Sequence, residues 1–306
     1  MKQICILLMV TICATMFTAC SNETDDKSDP FNPDVEEPTD EPNVDTTKYW
    51  IITMTSKISN LSDNNNQCFI FFDRQTIVDS IDWGVGHGFT PAQKFGYSDS
   101  YLYAYGTQGQ YTIKIKGHGV VKKFNCDSGR KQVTFLDASQ CAETLEEIVC
   151  SRQLLTSLDV TKYKHLKILN CYNNKITTLD VSKCTELIEL KCSENQLPSL
   201  DVGKCITLTT LNCGYNQFIS LDVNQNTELT LLHCGGNQLT SLDISKCKAL
   251  TNLDCRSNQL STADLNQIYN DLPTVDDGNL VVSKNPGTKS SDESIARNKG
   301  WYVQTY

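Results

Sequence analysis

The chain has 306 residues, 39% hydrophobic and 21% charged, which suits one large or two small folded domains. That balance excludes collagen, a coiled coil and a wholly disordered chain. The net charge of −9 is unevenly placed: residues 21–47 hold ten acids against Lys27, and the body after them is nearly neutral. Without a basic footprint, nucleic acid is excluded as a partner.

Lys2 precedes an apolar run from Ile4 to Phe17 and the small residues Thr18 and Ala19, the order of an export signal. The run is too short to span a bilayer as a helix. Phe17-Thr18-Ala19-Cys20 resembles a bacterial lipobox. The resemblance implies cleavage before Cys20 and acylation of its thiol and new amine, hence a membrane anchor; a plain secretory peptide is the alternative. Ser21-Asn22-Glu23-Thr24-Asp25-Asp26 resembles the surface-export signal of Bacteroidota lipoproteins, which implies the outer face of the outer membrane. Residues 1–20 are thus expected to be a lipoprotein signal peptide. Residues 21–47 hold four of the eight prolines and few large apolar side chains, so a disordered acidic tether is expected. Its reach is about 80 Å at roughly 3.1 Å per residue.

From 48 to 119, runs of alternating polarity separated by turn residues predict a small all-β domain. Cys68-Phe69-Ile70-Phe71-Phe72 reads as a strand buried on both faces. Ile77, Ile81 and Trp83 mark a second strand, ended by Gly84, and Tyr101 to Tyr105 a third. Gln110 to Gly117 alternates, with Tyr111, Ile113 and Ile115 on one face. Such strands predict a sandwich. Ile81-Asp82-Trp83-Gly84-Val85-Gly86, with Tyr103-Ala104-Tyr105 and Gly109-Gln110-Tyr111-Thr112-Ile113, resembles the PKD-like immunoglobulin fold. Val85 replaces an acid of that family's turn, and Tyr103 stands where a His is common. The resemblance implies either a spacer and N-terminal cap or a glycan- or protein-binding module.

Over 120–264 a period dominates. Leu145, Leu166, Leu187, Leu208, Leu229 and Leu250 stand 21 residues apart and open six copies of L-x-x-L-x-C-x-x-N-x-L-x-x-L-D-V-x-x-C. The pattern resembles the short bacterial leucine-rich repeat, which implies a solenoid with a parallel β-sheet and short convex segments. Val121 to Cys126 reads as a seventh, degenerate copy with a three-residue insertion before Leu145. One copy cannot bury its own Leu, Cys and Val; stacking makes a continuous core. Asn174, Asn195, Asn216, Asn237 and Asn258 form a column whose amides can satisfy turn backbone, and Gln153 interrupts it. Asp159, Asp180, Asp201, Asp222, Asp243 and Asp264 form a second column, offset by Lys162, Lys183, Lys204 and Lys246. A calcium ladder is the alternative for these carboxylates.

Cys126, Cys150, Cys171, Cys192, Cys213, Cys234 and Cys255 share one repeat position, and Cys141, Cys184, Cys205 and Cys247 another. Many cysteines in an exported chain suggest disulfides, but such columns fit small buried hydrophobes. In-register thiols on adjacent strands also point the same way, a poor start for a bridge. No C-x-x-C pair occurs, so neither metal nor cofactor is expected. Residues 265–306 read as a C-terminal cap. Its expected parts are a helix through Leu265, Ile268, Tyr269 and Leu272, strands at Leu280 and Trp301, and a second helix opened by a Ser290–Glu293 capping box.

Outward strand positions form the face such repeats present. Tyr172, Lys191, His233, Asp254 and Arg256 are the candidate binding residues there, with Ile168 and Leu231 as exposed apolar positions. His233 and Asp254 could neighbour each other on adjacent rungs, but no nucleophile motif accompanies them, so an enzyme is not expected. The chain reads as a surface-anchored, non-enzymatic protein that binds a protein or glycan; a structural surface protein with no specific ligand is the alternative. The first reading expects changes at Tyr172 or Arg256 to abolish binding without altering the melting temperature.

Overall fold

The structure is a computed structural model that describes residues 49–58, 67–94, 99–127 and 132–306. The expected signal peptide, Cys20 and the acidic tether lie outside the described residues.

Two sheets carry the described strands. The first is antiparallel, in the order β4 (Thr90–Pro91), β3 (Ile77–Asp82), β6 (Gly109–His118), β1 (Tyr49–Ile58) and β8 (Val133–Asp137). Strand β1 turns Trp50, Ile52 and Met54 inward, each directly opposite an inward position of β6, Gly117, Ile115 and Ile113. Gly117 has no alternative here. A Cβ on it would lie 2.3 Å from the Trp50 ring and 2.2 Å from the Ile77 carbonyl. In β3 the register shifts between Val78 and Ser80, so Ile81 is buried while Ile77 is 50% exposed.

The second sheet has eleven strands and joins both parts of the chain. Its antiparallel end pairs β2 (Gln67–Phe72) with β5 (Ser100–Ala104) on one side and with β7 (Lys123–Asn125) on the other. Strand β2 buries Cys68, Ile70 and Phe72, whereas Phe69 and Phe71 are half-buried and stack on each other at 6.2 Å. It is therefore buried on one face, not on both as its composition suggested.

Strand β7 is the degenerate first copy of the repeat. It pairs in parallel with β9 (Glu147–Val149), so one strand closes the antiparallel region and opens the solenoid. The Val133-Thr134-Phe135-Leu136-Asp137 stretch of the same copy forms β8, which returns to the first sheet beside β1 with Thr55 opposite Phe135. Strand β8 thus belongs to the first sheet although it follows β7 in the chain.

From β9 the sheet continues in register through β10 (Ile168–Asn170), β11 (Glu189–Lys191), β12 (Thr210–Asn212), β13 (Leu231–His233) and β14 (Asn252–Asp254). Each rung buries its central strand residue together with its repeat Leu, Cys and Val positions; in the third these are Leu187, Leu190, Cys192, Leu197, Leu200, Val202 and Cys205. Full burial of such a side chain contributes about 1.5–3 kcal/mol, and only neighbouring rungs can supply it.

The amide column is the main polar brace. Asn174 accepts from the Leu155 N–H at 3.0 Å and donates to the Cys150 and Cys171 carbonyls at 2.9 and 3.0 Å. Gln153 does not break this column. Its oxygen accepts from the Gln132 and Val133 N–H groups, and its amide donates to the Cys126 and Ser151 carbonyls. The extra methylene of Gln spans the insertion. At the far end Asn285 continues the column, donating to Cys255 and Val282 and accepting from Asn258 and Leu260.

The twelve described cysteines are all free and buried. Burial pushes the thiols of Cys171, Cys213 and Cys255 up to about 12. The second cysteine column also donates weakly to backbone: Cys184 Sγ lies 3.4 Å from the Val160 carbonyl. Asn226 takes one place in that column and donates to Val202 and Cys205 at 3.0 and 2.8 Å.

The cap extends the sheet. Strands β15 (Gly278–Val281) and β16 (Trp301–Gln304) pair in parallel beyond β14. Helix α1 (Thr262–Asp271) buries Leu265, Ile268 and Tyr269 over the open end. Its capping box is Ser261–Asp264, so Asp264 serves a helix N-terminus and not the aspartate column. The expected Ser290–Glu293 box does not form. Helix α2 (Ser294–Arg297) is opened instead by Asp292, which accepts from the Ser294 N–H at 3.1 Å and its hydroxyl at 2.6 Å. Among the described residues no helix is long and apolar enough to cross a membrane.

Candidate binding face of the solenoid

Each short strand from β9 to β14 buries its middle residue and leaves the two flanking ones half-buried. Flanking positions of successive rungs lie side by side, about 4.8 Å apart. They form a surface of two columns, with a third where the chain leaves the strand.

The expected site residues all lie on this surface, but not as free side chains. Lys191 is ion-paired to Glu189 on its own strand at 2.7 Å. Asp254 accepts from Arg256, whose Nε lies 2.9 and 2.8 Å from the two carboxylate oxygens and whose Nη2 lies 2.8 Å from Oδ2. That carboxylate raises the Arg256 guanidinium pKa further above its ordinary value. His233 stands opposite Asp254 in the register, yet its Nε2 contacts Asn252 Oδ1 at 3.1 Å. The expected adjacency of His233 and Asp254 is present, and the imidazole's hydrogen-bond contact is with Asn252.

Tyr172 is half-buried, with the Arg152 guanidinium 5.9 Å from its ring centre. Burial pushes its phenol pKa up, the Glu194 carboxylate adds to this, and Arg152 opposes it. Ile168 and Leu231 are half-buried, not exposed. Ile168 is flanked in register by Glu147 and Glu189, and Leu231 by Thr210 and Asn252.

Asp254 and Arg256 are therefore brought together with His233 in register beside Asp254, while Tyr172 and Lys191 lie on two adjacent earlier rungs. At the C-terminal end the His233–Asn252 contact extends across rungs. Asn279 Nδ2 lies 3.5 Å from Asn252 Oδ1, and Gln304 Nε2 donates to Asn279 Oδ1 at 2.8 Å.

A fourth column escaped the sequence reading. Arg152, Asn173, Glu194, Tyr215, Gly236 and Ser257 all have positive φ, between 52° and 70°. Only glycine adopts this conformation without steric cost. The Asn173 amide donates to the Glu194 carboxylate, and Tyr215 is 58% exposed. The signal was present, since this position varies from Arg to Tyr to Gly among the copies. It lies one residue beyond the alternation that defines the strand.

The aspartate column lies away from the strand face, beside an open cleft of about 470 Å³ lined by Asp159, Asp180 and Asp201 with Ser and Thr side chains. Each column carboxylate accepts from the N–H two residues on: Thr161, Ser182, Gly203, Asn224 and Ser245, at 2.9–3.0 Å. The Thr161 hydroxyl and N–H hold Asp159 below the usual carboxylate range, and Ser182 does the same for Asp180, with Lys162 and Lys183 contributing less. These carboxylates brace their own turns. Among the described residues no group of three or more His, Cys, Asp or Glu side chains is arranged to hold a metal ion.

The architecture is that of a leucine-rich-repeat β-solenoid. No protein-family model matches the chain, and no curated protein does. The chain is similar to the solved internalin C2 of Listeria monocytogenes, at 18% identity and a TM-score of 0.51, over 61% of this chain and 81% of that one. It also resembles the functional domain of InlJ from the same organism, described as including a cysteine ladder, at 29% identity and a TM-score of 0.38. A leucine-rich-repeat protein of Leptospira interrogans matches at 25% identity and a TM-score of 0.43. The chain spans about half the length of these last two, 48% and 50%.

Proposed function

We propose that this chain is a surface-anchored, non-enzymatic interaction protein that binds a protein or glycan partner through the strand face of its solenoid. One observation carries the reading. Across rungs of constant interior, the outward columns change residue type at nearly every step and hold Tyr172, Lys191, His233, Asp254 and Arg256 at the surface. A body built only for stability has no need of that variation. The antiparallel region before the solenoid is proposed as a PKD-like spacer that also closes the first rung. Cys20 is proposed as the acylated residue that anchors the chain at the outer membrane, exposed on the cell surface.

The internal pairing of Lys191 and Arg256 favours the second reading, a structural surface protein without a specific ligand. The full chain, presented to immobilised proteins and glycans, separates the two. A reproducible hit weakened by Tyr172→Ala supports the first reading, and no hit with intact folding supports the second. Loss of the membrane-bound fraction in Cys20→Ser tests the anchor.

A further inference from the structure

The class of partner can be narrowed, on the premise that the strand face is the binding surface. The C-terminal end of that face carries side chains that meet across four strands. From β13 to β16 one column runs Leu231, Asn252, Asn279 and Tyr302, each step in parallel register. The Gln304 amide donates to Asn279 Oδ1 at 2.8 Å, and Asn279 Nδ2 lies 3.5 Å from Asn252 Oδ1. The same Asn252 oxygen lies 3.1 Å from His233 Nε2.

These contacts run in one direction and leave defined ends. Asn252 Oδ1 is approached from two sides, so its Nδ2 remains a donor at one end of the chain. Gln304 Oε1 remains an acceptor at the other. Among the described residues neither atom has a hydrogen-bond partner. The Asn279 and Gln304 nitrogens each keep a second N–H. Asn252, Asn279 and Gln304 are half-buried, so these groups are held in place yet reachable. Tyr302 stands beside them, opposite Asn279 in the register and two residues before Gln304 on the same face of β16. It is 53% exposed, and its hydroxyl lies 3.4 Å from that of Tyr306.

An outward donor and an outward acceptor beside an exposed aromatic ring suit one chemistry. A hydroxyl donates and accepts at once, so neighbouring hydroxyls of a sugar can meet both kinds of amide group while an apolar C–H face packs on the ring. The charges at this end are matched to each other: Asp254 to Arg256 at 2.8 Å and Glu293 to Arg297 at 2.9 Å. An ionic ligand would compete with those partners, and hydroxyls would not. We propose that Tyr302, Asn279, Gln304 and Asn252 form a subsite for a pyranose segment of a glycan chain.

The test applies the full chain to one array that carries hexopyranose and pentopyranose oligosaccharides, neutral and charged, together with synthetic peptides. Glycans should be captured, and mild periodate, which cleaves vicinal diols, should abolish capture on the treated array. Tyr302→Ala should weaken capture about tenfold or more, as loss of an aromatic anchor does, and Tyr302→Phe should retain it. Asn279→Leu, which keeps the side-chain volume and removes the amide, should weaken it similarly. Tyr302 is exposed, so its variant keeps the test decisive even where Asn279→Leu disturbs the cap. Capture of peptides alone, weakened by Tyr172→Ala or Arg256→Ala, overturns the glycan subsite and leaves the strand face standing. Glycan capture indifferent to Tyr302→Ala but lost in Tyr172→Ala does the same. A blank array, or capture indifferent to changes at Tyr302, Asn279, Tyr172 and Arg256 alike, overturns both.

Discussion

Arg256 and Asp254, two residues apart on the strand face, hold each other through three side-chain contacts of 2.8–2.9 Å, and the Arg256 N–H adds a fourth at 3.1 Å. The Asp254 side chain is only 15% exposed, so its carboxylate depends on this partner. The expectation that Arg256 can be changed without altering the melting temperature is therefore revised. Arg256→Ala should lower stability by about 1 kcal/mol, the loss of a charge-assisted hydrogen bond reduced by solvent screening. Thermal unfolding of this variant beside Tyr172→Ala checks it: Tyr172→Ala should lower the melting temperature less.

The amide column should be the most sensitive polar feature of the solenoid. Asn216 is buried, accepts from Leu197, and donates to Cys192 and Cys213 at 3.1 Å each. Asn216→Ala leaves the buried Leu197 N–H without a partner and takes one of two amide donors from each of the Cys192 and Cys213 carbonyls, which keep Asn195 and Asn237, at about 1–3 kcal/mol. Asn216→Asp should cost more, because a carboxylate oxygen would face those carbonyls in place of a donor. Denaturant unfolding at neutral pH gives both values; an aspartate variant as stable as the asparagine parent would contradict this account.

The buried thiols predict an alkaline limit to stability. Their pKa values lie near 9 when unperturbed and rise with burial to about 11 for Cys205 and Cys247 and about 12 for Cys171, Cys213 and Cys255. The folded state then binds more protons than the unfolded state above pH 9, so stability falls as pH rises. The contribution is complete below about pH 9 and is lost progressively toward pH 12. Unfolding curves between pH 7 and 11 should show the decline. Iodoacetamide should leave the described cysteines unlabelled at pH 8 until denaturant is added.

In the positive-φ column, gaining a glycine and losing one on neighbouring rungs should shift stability in opposite directions. Ser257 has φ of 53°, so Ser257→Gly should stabilise by up to about 1 kcal/mol as steric strain is relieved. Gly236→Ala should destabilise by about 1–2 kcal/mol, since it gains that strain and a Cβ 2.5 Å from the Tyr215 ring. Equal shifts in the two melting temperatures would refute the assignment of strain to this column.

Much of the candidate face was readable before any coordinates. The outward strand positions followed from alternation alone, and every named residue does lie on that face. What could not be read was the state of each side chain there. Ile168 and Leu231 are shielded by neighbours in adjacent rungs, His233 makes its contact with Asn252, and Arg256 folds back on its own strand. Each outcome depends on rotamers chosen among several possible partners, which residue spacing does not specify.

The repeat length, the inward columns and the parallel register were determined by the sequence itself. In a solenoid every contact recurs at one separation, 21 residues here, so a pattern along the chain is also a pattern in space. Tertiary structure alone decided the features that break this rule. Strand β7 serves both the antiparallel region and the solenoid, β8 crosses back to pair with β1 some eighty positions earlier, Gln153 bridges the insertion, and Asp264 leaves its column to cap α1. Those pairings join segments at irregular separations. Nothing periodic announces them, and each is settled by which backbone groups the completed fold leaves to be paired.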